Sequence, residues 1–196
     1  MSATYDLSKD LKEAKAMTDG LAEYLRGDVL YGSTEGGFFS RMPSLTVGAL
    51  LMRLRRLDAL RTNMMDSDRR TLDAIIEQWQ AVREEWRVHY EDKLQQEASS
   101  RINAMKSFFQ ECRDSMQSCR NNYRPELQKR TIVQEILLEM RDLNIENADL
   151  MKLVNAADTK FHSYMRPDSF QWSDDLKDVY PEDDFWWLYQ KPPQLA

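Results

Sequence analysis

The chain has 196 residues, a net charge of −6, 31% charged residues and 42% hydrophobic residues. It is too apolar for a disordered chain and long enough to bury a core without disulfides or metals. Six glycines and six prolines are few for a β-rich fold and favour long helices, and nothing approaches the ~18 consecutive apolar residues of a membrane-spanning helix.

The segment Met1 to Asp10 has no apolar h-region, so no secretory signal is expected. Leu7, Leu11, Ala14, Met17, Leu21, Tyr24 and Leu25 recur at helical spacing and predict a first helix over Asp6 to Arg26, capped by Gly27. Asp28 to Pro43 reads as a loop or a short hairpin, with Val29-Leu30-Tyr31 against Phe38-Phe39. Ser44 is the expected N-cap of a second helix whose seam is Val47, Leu50, Leu54, Leu57 and Met64.

One amphipathic stretch then runs from Asp66 to Tyr123 without a glycine or proline. Leu72, Ile75, Trp79, Val82, Trp86 and His89 form one heptad seam. Ile102, Met105, Phe109, Cys112, Met116, Cys119 and Tyr123 form another in a different phase. Between them, Val82, Trp86, Tyr90, Leu94, Ala98 and Ile102 are each four apart, a run of stutters. A continuous helix is expected, about 85 Å long, with any bend between Glu91 and Arg101. Cys112 and Cys119 would then lie about 10 Å apart, beyond the ~7 Å reach of a disulfide. They are expected to be reduced core residues, which points to the cytoplasm, with a bridge between two chains of a dimer as the alternative.

Pro125 suits the first position of a fourth helix capped by Asn122. That helix carries Leu127, Ile132, Val133, Ile136, Leu137, Met140 and Leu143. Leu150, Leu153, Val154, Ala157, Phe161 and Tyr164 mark a fifth. From Arg166 the chain holds four prolines, seven aromatics and seven acidic residues against three basic ones. An extended arm with at most a turn or two of helix is expected. The fold class is therefore all-α: an elongated bundle of about five helices organised on one long central helix. Residues 1–165 form the bundle and 166–196 the C-terminal arm.

Catalytic signatures are weak. The segment GSTEGG lacks the Gly-Lys pair of a phosphate-binding loop, and no G-x-G-x-x-G occurs. Glu85 with His89, and Asp158 with His162, are the two acid–histidine pairs one helical turn apart. Together they are the candidate ligands of a metal-dependent enzyme. No recognisable nucleophile sits beside a base. Arg53, Arg55, Arg56 and Arg61 give the second helix a local charge of +3 and are the candidate anion or nucleic-acid contacts. Trp172, Phe185, Trp186, Trp187 and Tyr189 in the arm are candidate partner anchors, or pins on the chain's own bundle. The leading expectation is a non-enzymatic, self-associating interaction or scaffolding protein. It has no metal or cofactor, a homodimer mate or other protein as partner, and no membrane or nucleic acid.

Overall fold

The computed structural model describes residues 4–34 and 42–194. Among these the chain is all-α, with seven α-helices and a single pair of two-residue strands. It divides into two compact units, residues 6–97 and residues 98–196 together with 1–5.

The first unit opens with α1 (Leu7–Asp19), whose N-cap Asp6 accepts a hydrogen bond from the Lys9 amide at 3.0 Å. The expected single first helix is interrupted at Gly20, and α2 (Leu21–Arg26) follows. Gly20 lies close to Leu45: a Cβ there would be 3.1 Å from the Leu45 side chain, which would have to shift by a few tenths of an ångström. Gly27 closes α2 as expected. Of the expected hairpin, Phe38-Phe39 lies outside the described residues. The loop is instead tied by Gly32, which exchanges both backbone hydrogen bonds with Leu45. The next helix, α3 (Val47–Ala59), is capped by Thr46 rather than Ser44, with the Thr46 hydroxyl accepting from the Ala49 amide.

The stretch from Asp66 to Tyr123 is not one helix. It forms α4 (Asp66–Glu85), α5 (Arg87–Asp114) and the start of α6 (Met116–Asp142). The first break falls at Trp86, not between Glu91 and Arg101. Trp86 lies early in the run of four-residue steps, where the seam begins to drift and a local kink absorbs the phase change. Its ring lies under the Arg26 guanidinium, 5.4 Å from the centroid.

Two charges on α5 are buried in this unit, Lys93 and Glu97. The Lys93 ammonium donates to the carbonyls of Gly27 (2.8 Å) and Val29 (2.6 Å), just beyond the C-terminus of α2. Glu97 accepts from the Gly48 amide at 2.8 Å, in the first turn of α3. Each charge meets the helix end whose partial charge it complements.

The second unit is built on residues 98–114 of α5, on α6, and on α7 (Ala148–Tyr164). The second break falls at Ser115, whose extended backbone (φ −154°, ψ 114°) and hydroxyl cap α6. At this corner Cys112 and Cys119 are joined by a disulfide, with Cα atoms 4.4 Å apart. The expectation of free, reduced cysteines is thereby corrected, and the thiol argument for the cytoplasm goes with it. The assumption that failed was helix continuity. Pro125 lies inside α6 rather than at its start. The ring removes a donor to the Asn121 carbonyl, and Asn121 is exposed, so water can replace it. Asn144, with φ 58°, terminates α6, and Asn147 caps α7.

The tail has little regular structure, as expected, but it folds back. Strand β1 (Arg166–Pro167) pairs antiparallel with β2 (Gln190–Lys191). Between them lie two single-turn 3-10 segments, Asp174–Leu176 and Trp186–Tyr189. Its aromatic rings meet edge to face: Trp172 on Tyr180, Tyr180 on Phe185, and Phe185 on Trp187. Among the described residues no helix is long and apolar enough to cross a membrane.

Candidate functional site

The residues singled out by the sequence are mostly engaged inside the chain. In the first unit, Arg53 is buried and donates through Nε and Nη2 to Glu13 at 2.9 and 2.6 Å; Asp10 lies 3.9 Å away. Arg56 reaches Asp10 at 3.4 Å, and Arg61 is held by Asp58 and Asp73. Arg55 is half-buried and also has an interaction of its own. These arginines are therefore not a free phosphate-binding face. The acids that match them sit mainly on α1, a long-range pairing that helix periodicity does not display.

The aromatic candidates have a similar fate in the second unit. Trp187 is 1% exposed, and its indole N–H donates to the Thr131 hydroxyl on α6 at 2.9 Å. The Arg130 guanidinium lies 3.9 Å over its ring and donates to both carboxylate oxygens of Asp158 on α7, at 2.7 and 2.9 Å. Phe185 and Tyr189 are buried; Trp172 and Trp186 are half-buried. Trp186 stacks on the His162 ring, with centroids 3.9 Å apart. Phe185, Trp187 and Tyr189 are thus pins within their own unit rather than a free clasp.

Of the candidate metal ligands, Glu85 and His89 belong to the first unit, Asp158 and His162 to the second. Asp158 is engaged by Arg130, and His89 lies edge-on to Trp86. Among the described residues no group of three or more His, Cys, Asp or Glu is placed to hold a metal ion.

Glu126 on α6 is buried, and burial pushes its carboxyl above the ordinary value of 4.5; the Lys129 ammonium at 2.7 Å opposes this only in part. A raised carboxyl means that ionisation disfavours the folded state. The contribution of Glu126 to stability is therefore full below about pH 4.5 and is lost as the pH rises through its folded value. Glu126→Gln should gain on the wild type between about pH 4 and pH 7, as read by urea denaturation at both. A constant difference across that range would count against the assignment.

A groove between α5 and α7 in the second unit has a volume of about 250 Å³; a larger cavity in the same unit, about 710 Å³, lies along α6 and α7 and takes in Arg130, Glu146 and Asp158. From α5 the groove is lined by Ile102, Lys106, Phe109, Gln110 and Arg113, and from α7 by Leu153, Ala156, Ala157, Lys160 and Tyr164. These positions fall on one face of each helix. Ile102, Phe109 and Ala157 form a buried floor, while Lys106, Arg113 and Lys160 are exposed around it. Among the described residues no carboxylate lines the groove, so a chain of net charge −6 carries a cationic rim there. Lys106 and Lys160 are in no ion pair among the described residues, and Arg113 meets only the neighbouring Asp114, itself exposed.

Sequence reasoning missed this rim, although half of its signal is local. Lys106 and Arg113 are seven residues apart, beside the Ile102 and Phe109 seam of the same spacing. Lys160 joins them only through tertiary packing, so the cluster cannot be seen along one helix. Comparison of the chain with protein-family models, with curated proteins and with solved structures gives no match.

Proposed function

We propose that the chain is a non-enzymatic helical interaction protein, and that the α5–α7 groove docks an amphipathic helix of a partner protein through an apolar stripe flanked by acidic residues. The observation that carries this reading is the apolar floor with three cations and, among the described residues, no carboxylate around it. An apolar seat favours the i, i+3, i+4, i+7 stripe of a docked helix. The cations select acidic flanks and raise the association rate. Lys106 and Arg113 are about 10 Å apart along α5, two turns, a spacing that acids two turns apart on the ligand can match.

The test uses a fluorescent helical peptide with a leucine stripe and glutamate flanks, and a second peptide with the same stripe and lysine flanks. The glutamate peptide should bind, should weaken about tenfold when Lys106 and Lys160 are both replaced by Glu, and should lose affinity as salt is raised. Ala156 is exposed in the groove wall, so Ala156→Trp should block binding while leaving the helical circular dichroism unchanged. Equal affinity for both peptides would overturn the acidic assignment. A sedimentation experiment in which a second copy of the chain occupies the groove, lost in Ala156→Trp, would overturn the partner-protein assignment.

A further inference from the structure

The apolar seam runs through the α5–α6 corner as if the corner were absent. Phe109, Cys112, Met116, Cys119 and Tyr123 keep their three- and four-residue spacing across Ser115, and no glycine or proline occurs between Arg87 and Arg124. Backbone pairing is nearly complete on either side. The Ser115 amide donates to the Glu111 carbonyl and the Cys119 amide to the Ser115 carbonyl. The Ser118 amide is taken by the Ser115 hydroxyl. Among the described residues the amides of Met116, Gln117 and Ser118, in the first turn of α6, have no i−4 carbonyl partner, and of these only Ser118 has the Ser115 hydroxyl in its place. One residue, Ser115, carries the extended dihedrals.

The disulfide and an unbroken helix exclude each other. In a continuous helix the two Cα atoms would be about 10 Å apart, against 4.4 Å across the bond. The corner joins α5, which carries one groove wall, to α6, on which the other wall is held. Arg113, next to Cys112, is on α5, and the opposite wall is α7. Helix α7 is fixed to α6 by the Arg130–Asp158 pair and faces α5 through the Phe109–Phe161 and Phe109–Tyr164 ring contacts.

We propose that the Cys112–Cys119 bond is a redox modification site that gates the α5–α7 groove. Oxidised, it locks the corner and holds the walls together. Reduced, Ser115 turns helical, α5 and α6 join, and α6 carries α7 away from α5. This inference rests on the docking reading for its consequence, but the change at the corner stands without it. The co-reactant is a dithiol. One of its thiolates attacks a sulfur of the bond, forming a mixed disulfide and releasing the other cysteine as a thiolate, which takes up a proton. The second thiol of the reagent then displaces the remaining cysteine, and the reagent leaves as its own disulfide. Both cysteines are buried, 3% and 0% exposed, so exchange requires the corner to open and is slow without it.

The test follows amide hydrogen exchange and peptide binding in the full chain, air-oxidised and then reduced with dithiothreitol. On reduction the Met116 and Gln117 amides should gain i−4 partners and exchange at least about tenfold more slowly. Affinity for the glutamate-flanked peptide should fall at least about tenfold. The Cys112→Ser/Cys119→Ser variant should match the reduced protein in both respects, and reduction of the wild type makes the same comparison without any substitution. Two free thiols in protein purified without reductant would overturn the proposal. So would corner amides that do not slow on reduction, or equal peptide affinity in the two forms. If the peptide binds neither form, the docking reading fails, and the corner amides alone judge the redox change.

Discussion

Replacing Trp187 by alanine should lower unfolding stability by about 3–5 kcal/mol, the range for removing a fully buried aromatic ring. The indole is one of the largest fully buried side chains in the chain. Its loss empties the space under Arg130 and leaves the Thr131 hydroxyl without its indole donor. Trp186, its half-buried neighbour, serves as the internal control. Trp186→Ala removes the stacked contact with His162 and should cost about 1–2 kcal/mol, because part of the ring is already in water. Trp187→Phe keeps a ring but not the N–H, and should fall between them. Denaturation followed by circular dichroism ranks the three variants. If Trp187→Ala and Trp186→Ala were equal, the tail would not be pinned through Trp187.

Arg53→Ala should be comparably severe. Arg53 and Glu13 have side chains 7% exposed, and Asp10 lies close by at 10%. Removing the guanidinium leaves the buried Glu13 carboxylate with only the exposed Lys9 ammonium at 3.9 Å, and loss of the close partner of a buried charge costs about 3–5 kcal/mol. Replacing both members with apolar residues, as in Arg53→Met/Glu13→Leu, should cost less than the single change, since no charge is then stranded. Arg61→Ala supplies the contrast. Its partner Asp73 is 58% exposed, and an exposed pair is worth at most about 1 kcal/mol. Equal losses for Arg53→Ala and Arg61→Ala would mean that the α1–α3 charge cluster is not desolvated.

The periodic elements were legible in the sequence where one apolar face meets one neighbour. The seams over Leu127 to Leu143 and Leu150 to Tyr164 correspond to α6 and α7, and the all-α class follows from them. What periodicity cannot show is a break that leaves the period intact. At Ser115 the pattern continues while the backbone turns, because a disulfide, not a change in hydrophobicity, accompanies the turn. At Gly20, where α1 ends, the backbone lies close to Leu45, a contact between residues 25 positions apart. The candidate site is legible in its floor, because Ile102, Phe109 and Ala157 fall on the predicted apolar seams. Its rim was hidden because Lys160 joins Lys106 and Arg113 only after α7 packs on α5. The second-helix arginines show the reverse limit. Along the sequence they are candidate anion contacts, and the buried acids of α1 that meet Arg53 and Arg56 lie some 40 residues away.

The buried pair on α5 has a consequence for which arrangement of the first unit is selected. Lys93 and Glu97 are one turn apart, and each meets a helix end of opposite sign. Sliding α5 by one residue turns both side chains off their helix ends. Running α5 in the opposite direction would bring the ammonium to the amides of α3 and the carboxylate to the carbonyls beyond α2. In either case two charges are buried beside groups that repel or ignore them, an arrangement dearer than misplaced leucines, which tolerate many neighbours. The apolar residues around them supply the drive to collapse; these two charges act as a key that admits one register and one polarity.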